Sequence, residues 1–568
     1  MCEQITIKTH QFLREYRNMY KLISLFNSKI NHIPLYVSLI ILLCLLARNP
    51  FSHRTLIPNF EPFPDALYYV VPPRCFAMGQ GWKMCRQALS GFPTEVPPLY
   101  SIVLLPVFLF SDDPRMFYFA NVALSVLSVC ILYAIINRIT KNVLIKASVL
   151  FLFVTNYFVY WYPSLAMAEN LLIPLYLMGI YLSISAGSVR QLSLLGLVAV
   201  ALYQTKHAYA PLVLVFGAVM AYQLFQHPKV KKYIRKYHNP ILPVFFFGLP
   251  LIVLAVSQYH NILWILTNDF FLFKLPAEAE KTAWFSLSYA LKHIPKYASI
   301  FSGTPQHLLW DKTPLVHFLV GIFGCIGLIL GLRIKKHTRL SLTIIMAIIG
   351  QVLFISTFYA FDVRYVFHIL PSLLIGTTIV LSRLEVLSRS KNHVLLFTFV
   401  LLGLMAGYSL HSLPRLRKQV ALNLKYAETP WWYISVQEIG NYFDTQAKST
   451  FSNPEKQPII ITAIPPFLFD FYLNKSPELL PMHPDQDFRQ ARNQTWGEND
   501  YTDFIALYQT KLKEGRDVYV SNYGIAGAGH FAESFDTIKK TFGLTEVHTG
   551  CHQLCNLYKL ELVKNFNE

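Results

Sequence analysis

The sequence predicts an α-helical polytopic membrane protein of about eleven transmembrane helices, with re-entrant or juxtamembrane helices and a C-terminal extracytoplasmic α/β domain. Three observations predict it. Apolar residues make up 54% of the 568 and charged residues only 14%, which excludes an ordinary soluble chain. Apolar windows near the ~20 residues that a helix needs to cross a ~30 Å hydrocarbon core recur as far as residue 411. Short loops between these windows concentrate Lys and Arg, the mark of cytoplasmic loops.

The net charge of +18 sits in those loops and in the leader, without a nucleic-acid motif. It therefore argues for a lipid bilayer and against a nucleic-acid partner. The first apolar run, Pro34 to Leu46, follows a basic polar leader (residues 1–30) and lacks a small-residue cleavage site, so it reads as a retained anchor.

Orientation follows from loop charge. His227–His238, Arg333–Arg339 and Arg383–Lys391 are strongly basic, and Arg138–Lys141 and the leader join them on the cytoplasmic side. The connection 260–313 balances its Lys against Asp and Glu and is expected outside, as is the first outer loop, 49–113. Pro97–Phe110 (PPLYSIVLLPVFLF) is apolar but short and contains Pro106, so it is expected to be re-entrant or interfacial. Spans are then expected at 31–48, 114–137, 142–160, 169–186, 190–206, 209–226, 240–259, 314–333, 341–361, 365–382 and 393–411. The N-terminus is cytoplasmic, residues 31–411 form the membrane domain, and 412–568 lie outside.

The tail reads as α/β. Ile459–Thr462, Asp517–Ser521 and Asn556–Leu562 have strand composition, and Tyr501–Leu512 and Glu533–Phe542 have helical periodicity. No internal repeat or low-complexity tract is visible.

Of the eight cysteines, Cys75/Cys85 and Cys551/Cys555 form local pairs in segments expected outside, where oxidising conditions favour disulfides; Cys75–Cys85 is the better candidate. Cys551-His552-x-x-Cys555 lacks two further ligands for zinc.

This threading gathers ionisable residues at the outer ends of helices: Asp65 in the first outer loop, Glu169 after the third span, Lys206 and His207 after the fifth, Asp362 and Arg364 after the ninth. A charge at a span centre costs ~2.5–3.5 kcal/mol or more, so such groups need a partner or a wet cavity. Each also has a plainer explanation. Asp65 suits a helix N-cap. Glu169 suits a first-turn acid favoured by the helix dipole. Lys206 and Arg364 suit cations that snorkel to the headgroups. Two acids and two cations drawn to one face suit a group transfer: a carboxylate takes the proton of an attacking hydroxyl, and fixed cations stabilise a departing phosphate.

Several stretches together resemble the GT-C membrane glycosyltransferases, especially the branch holding the protein O-mannosyltransferases and the lipid A aminoarabinose transferase. They are EPFPDALYY, the Glu95-Val96-Pro97-Pro98-Leu99-Tyr100 patch, AENLLIPLYL, ALYQTKHAYAPL and DVRYVFHILPSLL, spread over roughly residues 30–411. The resemblance implies an inverting glycosyltransferase. Its donor would be a monosaccharide on polyprenyl or dolichyl phosphate, and its acceptor a hydroxyl of a glycan, lipid or protein outside the membrane. It assigns Asp65 as base and puts Glu169 in the same cavity; these are the catalytic candidates. Candidates for binding donor phosphate or acceptor are Lys83, Arg86, Glu95, Tyr100, Lys206, His207, Asp362, Arg364 and Tyr365.

One departure matters. Val96 stands where the aminoarabinose-transferase pattern often has a phosphate-binding Lys, so that contact passes to Lys83, Arg86, Lys206 or Arg364. Arg364 is the first choice, because a guanidinium fork matches phosphate oxygens. No cofactor is predicted and no metal-ligand set is visible, although a divalent metal stays open because some relatives use one. The membrane would be the inner or plasma membrane of a bacterium or the endoplasmic reticulum of a eukaryote. The rival reading is a transporter or flippase of a lipid-linked sugar, disfavoured by the missing repeat and by charges placed at helix ends rather than mid-span.

Overall fold

No water reaches the backbone in hydrocarbon, so an apolar run satisfies its own N–H and C=O groups by forming a helix. The computed structural model describes residues 31–47, 65–79, 81–82, 97–111, 113–185, 189–226, 228, 286–304, 306–308, 311–358, 361–387, 395, 399, 403, 407, 439–440, 442–443, 458–463, 478–482, 501–522, 529–549 and 556–563. The chain divides into two compact units, one built from residues 1–49, 121–164 and 168–416, the other from 50–120, 165–167 and 417–568.

The first unit is helical. It holds α1 (Asn31–Leu46), α4 (Phe117–Ile139) from Asn121 onward, α5 (Val143–Val154) and the short α6 (Tyr157–Trp161). There follow α7 (Glu169–Ser185), α8 (Val189–Thr205), α9 (Ala210–Gln226), α10 (Leu287–Ala298), α11 (Phe318–Arg333), α12 (Thr338–Ser356) and α13 (Ile369–Leu387). Among the described residues four stretches are long and apolar enough to cross a bilayer: Phe117–Ile139, His207–Gln226, Thr338–Ser356 and Val363–Val386. A fifth arises if the bent pair Val143–Val154 and Tyr157–Ser164 is one span. Expected span 240–259, and all but four residues of 393–411, lie outside the described residues.

That bend, 57°, is where the structure departs from the unbroken span expected at 142–160. Its cause is a polar pair. Thr155 Oγ1 donates back to the Phe151 carbonyl at 2.7 Å, and Asn156 caps α6 by accepting from the Phe158 amide at 3.0 Å. Asn156 Nδ2 also donates to the Leu315 carbonyl at 3.1 Å, which holds the break in place.

Helices α11 and α13 pack through glycine. A Cβ on Gly327 would collide with the Gly376 carbonyl, and one on Gly324 would stand 2.7 Å from Leu373 Cβ. Between apolar helices in a bilayer, where no hydrophobic drive operates, such close backbone approach supplies the packing energy.

The second unit holds α2 (Asp65–Ala77), α3 (Leu99–Phe108), the start of α4 and the tail. With ten residues, α3 is ~15 Å long, about half the hydrocarbon thickness and too short to cross. Helices α2 and α3 meet through Tyr69 and Tyr100, edge to face at 5.2 Å.

The tail contains a five-stranded mixed sheet ordered β4-β3-β5-β7-β6, formed by β3 (Ile459–Thr462), β4 (Glu478–Pro481), β5 (Val518–Ser521), β6 (Phe542–His548) and β7 (Leu557–Leu562). Strand β3 pairs parallel with β4 and β5, while β7 runs antiparallel to β5 and β6. Helices α14 (Tyr501–Lys513) and α15 (Gly529–Thr541) contribute Phe504, Tyr508 and Ile538 to a core with Ile459, Ile461, Val518 and Val520. Sequence reading had carried the second helix through Phe542; instead Phe542 opens β6. A separate hairpin in the first unit pairs β1 (Gln306–Leu308) with β2 (Asp311–Thr313).

Candidate active site

Three chain breaks in the first unit bring the polar side chains together. Glu169 opens α7, where the positive end of the helix dipole favours a carboxylate. Lys206 follows α8 in extended conformation and begins the turn His207–Tyr209 that leads into α9. Asp362, also extended, caps the 3-10 turn Val363–Val366 between α12 and α13, its Oδ1 accepting from the Arg364 amide at 2.9 Å.

The contacts join these breaks into one cluster. Lys206 Nζ donates to Glu169 Oε1 at 2.8 Å, and the Tyr162 hydroxyl donates to Glu169 Oε2 at 3.1 Å. The Glu169 side chain is wholly buried and both its oxygens are engaged; Lys206 keeps 15% exposure. Arg364 Nε lies 2.8 Å from Asp362 Oδ2, with side-chain exposures of 13% and 17%. Burial pushes the Asp362 carboxyl above its ordinary range, although the Arg364 charge and amide draw it part of the way back. Both cations face the Tyr365 ring: Lys206 Nζ is 4.8 Å, and Arg364 Cζ 5.2 Å, from its centroid. Facing a π-ring is favourable for a cation when few waters compete.

Gln351, wholly buried on α12, ties the turns together. Its Nε2 donates to the Ala208 carbonyl at 2.8 Å and to the Tyr365 carbonyl at 3.3 Å. A single Gln within the apolar run IIMAIIGQVLFI was the available signal, since an amide in a span needs a partner. Sequence reading missed it, as it missed Tyr162, which lies in the aromatic run YFVYWY with nothing to mark it as a partner of Glu169.

Glu169, Lys206, Asp362, Arg364 and Tyr365 thus converge. His207 is adjacent in sequence, but its ring packs on Tyr203 at 4.7 Å, and its Nδ1 is buried without a hydrogen-bond partner among the described residues. Tyr100 belongs to the other unit, buried in α3 against Tyr69. Asp65 is the first residue of α2 in that unit; its side chain lies outside what the structure describes, as do Lys83, Arg86, Glu95 and Cys85 altogether. Cys75, on α2, is buried and disulfide-bonded.

No protein-family model matches the sequence, and no curated protein matches it. The three-dimensional structure, however, is similar to the crystal structure of ArnT from Cupriavidus metallidurans in the apo state. The identity is 13%, the match covers 93% of this chain and 97% of that one, and the TM-score is 0.55. A second structure of ArnT from Cupriavidus metallidurans, bound to undecaprenyl phosphate, matches with 12% identity over 93% and 97% of the two chains and a TM-score of 0.53. At this identity the likeness shows the fold, which is the GT-C membrane fold.

Proposed function

We propose that the protein is an inverting glycosyltransferase that moves a monosaccharide from a polyprenyl- or dolichyl-phosphate donor to an acceptor hydroxyl outside the membrane. The observation that carries this reading is the pair of cations facing the Tyr365 ring, Lys206 paired with the buried Glu169 and Arg364 with the partly buried Asp362. Preorganised cations at helix ends stabilise phosphate charge as it develops, without reorganising during the reaction. The ArnT structure with undecaprenyl phosphate lends support, because that protein shares the fold and binds a lipid of this chemistry.

In the proposed reaction the acceptor O–H gives its proton to the Asp65 carboxylate as the oxygen attacks the anomeric carbon. The bond from that carbon to the phosphate oxygen breaks on the opposite face, and the phosphate leaves on its lipid. One displacement inverts the anomeric centre and needs one base, as in inverting hydrolases with water replaced by the acceptor. Arg364 and Lys206 receive the phosphate, and Glu169 acts as counter-ion to Lys206. Asp65 is assigned from its place in EPFPDALYY. Loop charge supports eleven spans, a cytoplasmic N-terminus and an external tail.

The test is transfer of radiolabelled sugar from polyprenyl-phosphate donors by purified protein, comparing wild type with Asp65→Asn. Transfer should fall by about three orders of magnitude, within the range expected for a lost general base, while donor binding persists. Full activity in the variant would remove Asp65 as base. Movement of the lipid across the bilayer without any transfer would favour a flippase.

A further inference from the structure

Helix α10 is amphipathic, and its two faces do different things. The outer face carries Leu287 and Leu291, 58% and 77% exposed. The inner face straps the connection between α12 and α13. The Ser286 amide donates to the Thr357 carbonyl at 2.7 Å, and His293 and Tyr297 pack on Phe361 with ring centroids 5.9 and 4.6 Å away. Lys296 Nζ faces the same Phe361 ring at 5.3 Å.

Tyr297 does more than pack. Its ring is fully buried, its hydroxyl donates to the Asp362 carbonyl at 3.2 Å, and the same oxygen accepts from the Asp362 amide at 3.4 Å. A phenol can do both at once. Both polar groups of the Asp362 backbone therefore rest on one side chain from another element. The Asp362 carboxylate in turn holds Arg364 twice, by the amide at 2.9 Å and by Nε at 2.8 Å. The chain of contacts runs from α10 to the guanidinium, with Tyr297 as its first polar link.

We propose that Tyr297 is a positioning residue for the donor phosphate, acting from α10 through Asp362 to fix the direction of the Arg364 guanidinium. This rests on the phosphate-binding reading of Arg364. A guanidinium aimed less firmly loses part of its two-pronged match to phosphate oxygens, so relaxing Asp362 weakens binding of the lipid phosphate rather than the chemistry of transfer.

The experiment measures binding of undecaprenyl phosphate to the full chain in nanodiscs, for wild type, Tyr297→Phe, Arg364→Ala and the double variant. Tyr297→Phe keeps the ring on Phe361 and removes only the hydroxyl. It should raise Kd about three- to tenfold, the scale of one net hydrogen bond, besides lowering the thermal midpoint modestly because the Asp362 amide and carbonyl lose this partner. In the Arg364→Ala background the same change should have no further effect, because coupled residues are non-additive. Leu291→Ala, on the outer face, should bind as wild type. Equal losses in both backgrounds, unchanged affinity in Tyr297→Phe, or a lowered midpoint with unchanged affinity would each overturn the proposal. If Arg364→Ala itself binds as wild type, the phosphate reading fails and Tyr297 has nothing to position. If Arg364→Ala binds weakly and Tyr297→Phe normally, only the role of Tyr297 fails.

Discussion

Lys206 and Glu169 form an ion pair at 2.8 Å between the end of α8 and the start of α7, with the carboxylate wholly buried and its second oxygen held by Tyr162. The pair couples two helix ends that are 37 residues apart in sequence.

Breaking that pair from the acid side leaves a largely desolvated cation. Glu169→Ala should destabilise the protein by about 3 kcal/mol, as measured for buried pairs that lose one partner. Adding Lys206→Met should recover much of the loss, because the desolvated charge is then removed as well. Thermal unfolding in detergent reads both. A single variant as stable as wild type would mean that water already solvates the pair.

Gln351→Leu has a similar volume but cannot donate to Ala208 and Tyr365. The expected cost is about 1–3 kcal/mol for carbonyls left unsatisfied. If the lost amide also loosens the two turns, undecaprenyl-phosphate affinity should fall together with the midpoint. A midpoint and an affinity both equal to wild type would show that the two turns hold themselves.

Glycines on the span faces should differ sharply in tolerance. Gly327→Ala forces α11 away from α13, because its Cβ would meet the Gly376 carbonyl, and should cost about 1–3 kcal/mol. Gly350→Ala meets nothing closer than Pro211 Cβ at 3.6 Å and should be neutral or slightly stabilising. Comparable midpoints for the two variants would contradict the packing described for α11 and α13.

The orientation can be read with single cysteines in a background without other exposed thiols. Leu291→Cys on α10 should react with an impermeant maleimide on intact cells. Lys336→Cys, exposed between α11 and α12, should react only after permeabilisation. The opposite pattern would invert the whole assignment of loops to sides.

Much of the fold was legible because bilayer physics is one-dimensional. Apolar length decides where a helix lies, and the segments expected at 169–186, 190–206 and 209–226 reappear as the helices α7, α8 and α9 within two residues at each end. Of the three, only α9, with the turn before it, is long enough to cross a bilayer. The short helix at Leu99–Phe108 was legible for the same reason. The break at Thr155–Asn156 was not, because it depends on Asn156 finding the Leu315 carbonyl, 159 residues away. Strand β4 was missed because Glu478–Pro481 is short and ends in proline, and only its pairing with β3 makes it a strand.

The residues themselves determined that ionisable side chains would stand at helix ends, since charge is costly mid-span and cheaper where the chain turns. They named Glu169, Lys206, Asp362, Arg364 and Tyr365, but not how these pair. The turn itself pairs Asp362 with Arg364, but tertiary structure alone decided that Glu169 answers Lys206 and that both cations face the Tyr365 ring. It alone brought in Gln351 and Tyr297, whose roles depend on partners from distant segments, and Tyr162, which the chain turns back onto Glu169. Hydrophobic length is a property of one segment, whereas the partner of a buried polar group is a property of the neighbours that folding supplies.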